Sequence, residues 1–439
     1  MKGKVVNNRN IINEEYIWLM KKEIADFLKI LEEKYLSRDF SPEEYDDVLF
    51  FCVQLLDCQI VYERNDLLEK TILYILEKIR EQLYLEKIPQ IQLKGAMKGL
   101  GLLCYSTRIL CIKRKNVRGF EKLFNLLDDL FCEVCRYRLN IIKKAPLFFS
   151  NYDLVSGMSG NLHYLLLCEN QKREWLIKDI MNYLVGLTEY ETYKGMEIIK
   201  FHIHREEQYA EKERREMKNG NINFGLAHGM VSVLLVLSEC KYYGYYVDGL
   251  DDAIEKILNL YQRYALVEEN ILKFPTQLSF EGYVRGKNIK WSFNAGWCYG
   301  NAGIVQALMR SMYYLGRTKE EKYYIEMFYN ILNQEPDNYS LETPILCHGY
   351  ASIVAMQVGV YNDTGQMKML DTLERNIAEM LKEHENFKKI SEYYSKDFSI
   401  LQGSAGVILT LIDTLNKKME YKYMMMISKN MNNTEIVTW

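Results

Sequence analysis

The sequence predicts an all-α protein, a closed double layer of inner and outer helices, and three observations carry that reading. Only six prolines occur in 439 residues, so helix breakers are scarce along the whole length. A short cassette recurs in which glycines three or four residues apart lead into an apolar run of helical length. Between cassettes lie charged, amphipathic segments such as "TKEEKYYIEMFYNILNQ" and "MLDTLERNIAEMLKEH", which read as helices with one wet face. The cassette helices, apolar all round, would form the inner ring and the amphipathic ones the outer.

The cassettes run in order as "KGAMKGLGLLCY" from Lys94, "SGMSGNLHYLLLC" from Ser156 and "GLAHGMVSVLLVLSEC" from Gly225. "YGNAGIVQALMRSMYYLG" from Tyr299, "HGYASIVAMQVGVY" from His348 and "QGSAGVILTLIDTL" from Gln402 complete the set. Gly157, Gly229, Gly300, Gly349 and Gly403 stand 72, 71, 49 and 54 residues apart. Those intervals suit one inner helix, one outer helix and a connection of variable length. A seventh pair is expected over residues 10–85, where "SPEEYDDVLFFCVQLL" carries a capping signature at Ser41 and Glu44 but no glycines. Repetition of this kind predicts one closed unit over 1–439, with about seven repeats, rather than separate domains. Glycine at the inner helix starts lets several helix N-termini approach one axis, their partial positive ends facing a shared cavity.

Two stretches break the helical pattern. "GMEIIKFHIHREE" (195–207) is rich in β-branched and aromatic residues, and "ILKFPTQLSFEGYVRGKNIKWSF" (271–293) alternates around a proline and two glycines. Residues 186–222 are therefore expected to form an inserted, β-containing appendage that handles substrate. Its charged part, "EKERREMKNGN", reads as a solvated loop or as a hold on a substrate segment.

Composition narrows the function. A net charge of −3 argues against a nucleic-acid partner. The N-terminal stretch lacks the order of a secretory signal and no apolar run reaches membrane-spanning length. Ten cysteines scattered without a compact framework read as free thiols in a reducing cytoplasm.

Cys298 in "GWCYGNAG" and Cys347–His348 in "ILCHGYAS" are the sharpest chemical signal. Adjacent residues of a helix point about 100° apart, so a Cys-His pair grips one ion only at a turn, as here beside Gly349. With Cys298 they make a Cys₂His set, and three protein ligands with one position open is how a catalytic zinc is held. Two buried thiols at tight turns and a capping histidine are the alternative. His228 stands at the matching place in "GLAHG", Asp153 precedes the glycines of "YDLVSGMSG", and Tyr299 follows Cys298; if the helix starts meet at one axis, all line one cavity. Elsewhere, Cys132 and Cys135 read as core thiols and His163 as a satisfied core histidine. His202 and His204 alternate on one side of a strand, read as a solvated face with a second metal site as the alternative.

"YDLVSGMSG", "GLAHG", "WCYGNAG" and "CHG" together resemble the motif set of the lanthionine synthetase C-like (LanC) family, the class I lantibiotic cyclases, over nearly the whole chain. The resemblance implies a double-layered α/α toroid with one zinc ion, held by Cys298, Cys347 and His348. It implies a peptide cyclase that adds precursor-peptide cysteine thiols to dehydroalanine or dehydrobutyrine and closes thioether rings, with His228, Asp153 and Tyr299 as active-site groups. Its substrate would be a dehydrated precursor peptide with a leader segment, and its setting cytoplasmic, peripheral at the membrane through a dehydratase and exporter complex. A related enzyme adding glutathione to dehydro residues would share the site, and a non-catalytic helical scaffold is a further alternative. The family often carries an arginine four residues before the first zinc cysteine; here Asn294 stands there, which leaves open how charge near the metal is stabilised.

Overall fold

A computed structural model describes residues 11–84, 95–114, 119–167, 173–416 and 420–429, so residues 1–10 and the Lys94 that opens the first cassette lie outside it. Among the described residues, seven helices make an inner ring: Tyr45–Leu55, Leu100–Lys113, Met158–Leu166, Met230–Tyr242, Asn301–Tyr314, Tyr350–Thr364 and Ser404–Asn416. Each packs on the next, and the last packs back on the first. They are mostly apolar and buried nearly all round; every residue of Tyr45–Leu55 is buried, Asp46 and Asp47 included, as is Met230 through Cys240. A fully withdrawn Leu, Ile or Val contributes about 1.5–3 kcal/mol, which explains why these helices need no amphipathic stripe. Around them lie Asn65–Tyr84, Glu121–Ile142, Glu174–Gly186, Leu250–Arg263, Thr318–Leu332 and Leu373–Ile390, each against the inner helix that precedes it. The architecture is the α/α toroid.

One expectation needs correcting. Residues 10–85 hold three helices, not a pair. Glu14–Ser37 is the outer partner of Ser404–Asn416, at the other end of the chain, and Lys388 and His384 reach the Glu23 carboxylate at 2.7 and 3.4 Å. The Ser41 signature does cap the next element, the Glu44 carboxylate accepting from the Ser41 N–H at 2.9 Å.

The turns ahead of the inner helices are tied to one another by a backbone rail. Counting back from the glycine that caps each helix, the residue two before it donates its N–H to the same position of the next repeat. Met97 donates to Val155 (3.3 Å), Ala227 to Cys298 (2.9 Å), Cys298 to Cys347 (3.1 Å) and Cys347 to Leu401 (2.9 Å); Leu154 rather than Val155 makes the link to Ala227 (3.0 Å). The capping glycines are required sterically. A Cβ on Gly157, Gly229, Gly300 or Gly349 would lie 2.2, 2.5, 2.4 or 2.6 Å from the backbone nitrogen four residues earlier, so the turn folds back on itself only without a side chain. The repeat that lacks glycines closes the rail with carboxylates. Asp46 accepts from the Gly99 N–H at 2.5 Å, and Asp47 accepts from the Ile400 N–H at 3.0 Å.

Both expected β excursions are present. Tyr190–Tyr193 pairs antiparallel with Met196–Ile199, Tyr193 opposite Met196, across a two-residue turn in which Lys194 and Gly195 both have positive φ (51° and 74°), the geometry that matches strand twist. Leu266–Glu268 and Ile271–Lys273 form a second hairpin. Asn221–Asn223 pairs antiparallel with Gln277–Ser279, joining the end of the 186–222 segment to the stretch that leads into the Cys298 turn.

Candidate functional site

The rail explains how residues far apart in sequence become neighbours. Cys298 and Cys347 occupy equivalent places in consecutive repeats, so the backbone hydrogen bond between them is one rung of the ring. His348 follows Cys347 directly, and one ligand atom from each of Cys298, Cys347 and His348 lies within 4.8 Å of the others. Cys298 is buried, Cys347 half-buried and His348 exposed, so the cluster opens to one side. The Cys298 thiol is pulled down to about 5 by the hydrogen bond from Cys347, against its own burial, with His348 and then His228 assisting. Cys347, donating to that sulfur, moves the other way, and His348 is raised by the same sulfur. Two soft sulfurs and an imidazole, one sulfur already favoured as thiolate, are a donor set that fits zinc.

Beside this cluster, His228 precedes the capping Gly229. Its Nδ1 is 2.5 Å from Asp153 Oδ2. The other carboxylate oxygen accepts from the N–H groups of Ser156 and Gly157 at 2.7 and 2.6 Å, and Asp153 is fully buried. The imidazole is thus held edge-on by a fixed carboxylate, leaving Nε2 as its free nitrogen. Burial lowers the His228 pKa, but Asp153 and then the Cys298 charge outweigh it, and the net direction is up. Phe149 and Tyr299 flank the ring at 4.8 and 5.4 Å between centroids. Burial and the neighbouring Cys298 charge raise the Tyr299 phenol, so it stays a protonated donor.

All six predicted site residues therefore converge on one end of the axis. Asn294 is accounted for by the fold: its Oδ1 accepts from the Gly296 N–H at 2.7 Å and its Nδ2 donates to Ser340 O at 2.7 Å. Asn223 and Asp397, six residues before their own glycines, make the same side-chain turn with Gly225 (2.9 Å) and Ser399 (2.8 Å). At this position the chain carries a turn-former rather than a cation.

Sequence reasoning missed the groups that wall the approach. A cleft beside Tyr299 is lined by Phe149, Tyr209, Glu213, Asn223 and Gln277 among others, so the 186–222 segment reaches the mouth of the site. Phe149, one turn before Asp153, carried no motif that could have flagged it. His163 is a satisfied core residue as expected, bonded to Glu239 (2.7 Å) and Tyr423 O (2.9 Å). Cys135 is buried and Cys132 half-buried, and neither is in a disulfide. His202 departs from expectation: it is 2 % exposed, not solvated.

A helical toroid that gathers a Cys₂His cluster and a carboxylate-held imidazole at one end of its axis belongs to the class of thiol-handling α/α-toroid enzymes. The family model for lanthionine synthetase C-like proteins matches residues 50–426. Nisin biosynthesis protein NisC of Lactococcus lactis subsp. lactis is 26% identical over 301 residues, covering 66% of this chain and 68% of that protein. A solved structure of nisin cyclase superposes with a TM-score of 0.78 at 19% identity, over 92% of this chain and 97% of that one. The chain belongs to the lanthionine synthetase C-like family. Among the described residues no helix is long and apolar enough to cross a membrane.

Proposed function

We propose that Cys298, Cys347 and His348 hold one zinc ion with a fourth position left for the thiol of a dehydrated precursor peptide. The observation that carries this reading is the rung between Cys298 and Cys347, which brings the three donors within 4.8 Å on the side where His228 stands. When bound, the ion would lower the pKa of an incoming thiol, ordinarily near 8.5, and present its sulfur as a nucleophile at neutral pH.

The rest falls to the protein. As the sulfur adds to the β-carbon of dehydroalanine or dehydrobutyrine, the π pair moves to an enolate, the thiol proton leaves to solvent, and the α-carbon must gain one. His228 delivers that proton from Nε2, because Nδ1 is committed to Asp153. Asp153 fixes the ring and sustains its protonated form. Tyr299 donates a hydrogen bond to the enolate oxygen. The 186–222 segment, one appendage of a single 1–439 toroid, forms one wall of the cleft that guides the peptide and its leader. The enzyme works in the cytoplasm, docked at the membrane with a dehydratase and an exporter.

Incubation of the purified protein with a dehydrated precursor should consume peptide thiols with no change in peptide mass. Cys298→Ala or His348→Ala should abolish thiol consumption together with the zinc held at this cluster. Full cyclisation by a metal-free Cys298→Ala protein would overturn the assignment.

A further inference from the structure

A second cluster of ligand-bearing side chains lies outside the site described above. Glu191 sits on the Tyr190–Tyr193 strand, and His202 and His204 follow its partner strand; one ligand atom from each of the three falls within 4.8 Å of the others. The cluster is built, not incidental. His202 is 2 % exposed, and its Nε2 lies 2.8 Å from Asn219 O. A carbonyl only accepts, so Nε2 carries the proton and Nδ1 keeps a bare lone pair. That Nδ1 is buried and has no hydrogen-bond partner, a costly state for a nitrogen acceptor unless something fills it.

The surroundings hold the ligands in place. Asn219 is gripped by Lys194, and it donates to Glu281 at 2.5 Å. The turn can press against the imidazole because Gly220 follows, with φ of 89° and no Cβ; one there would lie 2.4 Å from His202 Nε2. Tyr193 stacks on the His204 ring at 4.7 Å, and His204 Nε2 stands 3.6 Å from a Glu191 oxygen. Orientation of a ligating imidazole by a carbonyl on its other nitrogen is the usual outer-shell arrangement of a metal site, and two imidazoles with a carboxylate suit zinc and its neighbours.

We propose that Glu191, His202 and His204 form a second divalent-metal site of the zinc class, separate from the Cys298 cluster. Glu191 and His204 are partly exposed, so solvent completes the coordination. Ile203, between the two histidines, lines the cleft with Tyr209 and Glu213. The ion would therefore sit behind the cleft wall and fasten the hairpin to the strand that carries it.

The test counts metal on the untagged full chain dialysed against excess buffered zinc. About two equivalents per chain are expected, falling by one in His204→Gln and in Glu191→Gln, both partly exposed positions whose replacement spares the core. Cys298→Ser should lose the other equivalent and keep this one, so failure of either site reads separately. Exchange with cobalt sharpens the assignment: the equivalent lost in His204→Gln should contribute no sulfur-to-metal charge-transfer band. A wild-type count that stops at one equivalent, with that equivalent lost in Cys298→Ser, overturns the proposal. So does a second equivalent that survives both His204→Gln and Glu191→Gln.

Discussion

Two arcs of the inner ring share one backbone device and differ in what hangs from it. On one arc the pairs that precede the capping glycines are Ala227–His228, Cys298–Tyr299 and Cys347–His348; on the other they are Leu401–Gln402, Met97–Lys98 and Val155–Ser156. The rail runs through both arcs with similar lengths. Positioning is therefore a property of the repeat, and chemistry a property of which side chains occupy two places in it. Asp153 is the exception, a quiet-arc residue that reaches across to His228.

The largest effect should come from spoiling the device under the loaded arc. In Gly300→Ala the new Cβ would lie 2.4 Å from the Gly296 nitrogen, so the turn bearing Cys298 and Tyr299 must open. The Cys298-dependent metal equivalent and thiol consumption should both fall to background. Gly403→Ala, whose Cβ would meet Asp397 O at 2.6 Å, should lower the melting temperature yet leave the Cys298-dependent metal equivalent in place. Equal metal loss in both variants would erase the distinction between the arcs.

Next in size is His228→Gln, which keeps the device and removes the proposed proton donor. Ring closure should slow by about 10²–10⁴-fold with zinc stoichiometry unchanged; a variant that loses its metal would move His228 into the ligand set.

A third comparison sets the glycine turns against the carboxylate closure. Burial raises Asp46 above its ordinary value, and burial together with the Asp46 charge raises Asp47. Between the ordinary and the raised values the folded state binds more protons than the unfolded, so these groups cost stability as pH rises through that window. Asp47→Asn removes the charge, so its melting temperature relative to wild type should improve from pH 4 toward neutrality; the opposite slope would refute the buried-charge account. The smallest effect is expected of Asn294→Ala, which frees the Gly296 N–H and the Ser340 carbonyl and should cost about 1 kcal/mol in denaturant unfolding.

The ring was legible because an apolar run after paired glycines is a local pattern, and so is an amphipathic one. The Cys298, Cys347 and His348 cluster was legible because cysteine and histidine are unusual beside glycine. The rail was not, since equivalence between Cys298 and Cys347 becomes adjacency only once the ring exists. The carboxylate closure hid for a related reason: "YDD" at the start of a helix reads as a favourable charge at its positive end, and nothing local says that both acids are buried. Nothing in residues 10–85 says that Glu14–Ser37 packs on residues 404–416, at the other end of the ring. His202 looked solvated because strand alternation assigns a side and not a depth.

The packing of Glu14–Ser37 on Ser404–Asn416 has a consequence for how the protein is made. A ribosome releases Met20, Phe27 and Leu31 some 370 residues of synthesis before the helix against which theirs packs. Until then the apolar side of the first helix is covered only in part, Phe27 meeting Phe51 at 5.2 Å between ring centroids, and contacts so distant along the chain are slow to form. Assembly of the complete circle waits until residues 404–416 have been made, and the nascent chain before that is the form most in need of a chaperone.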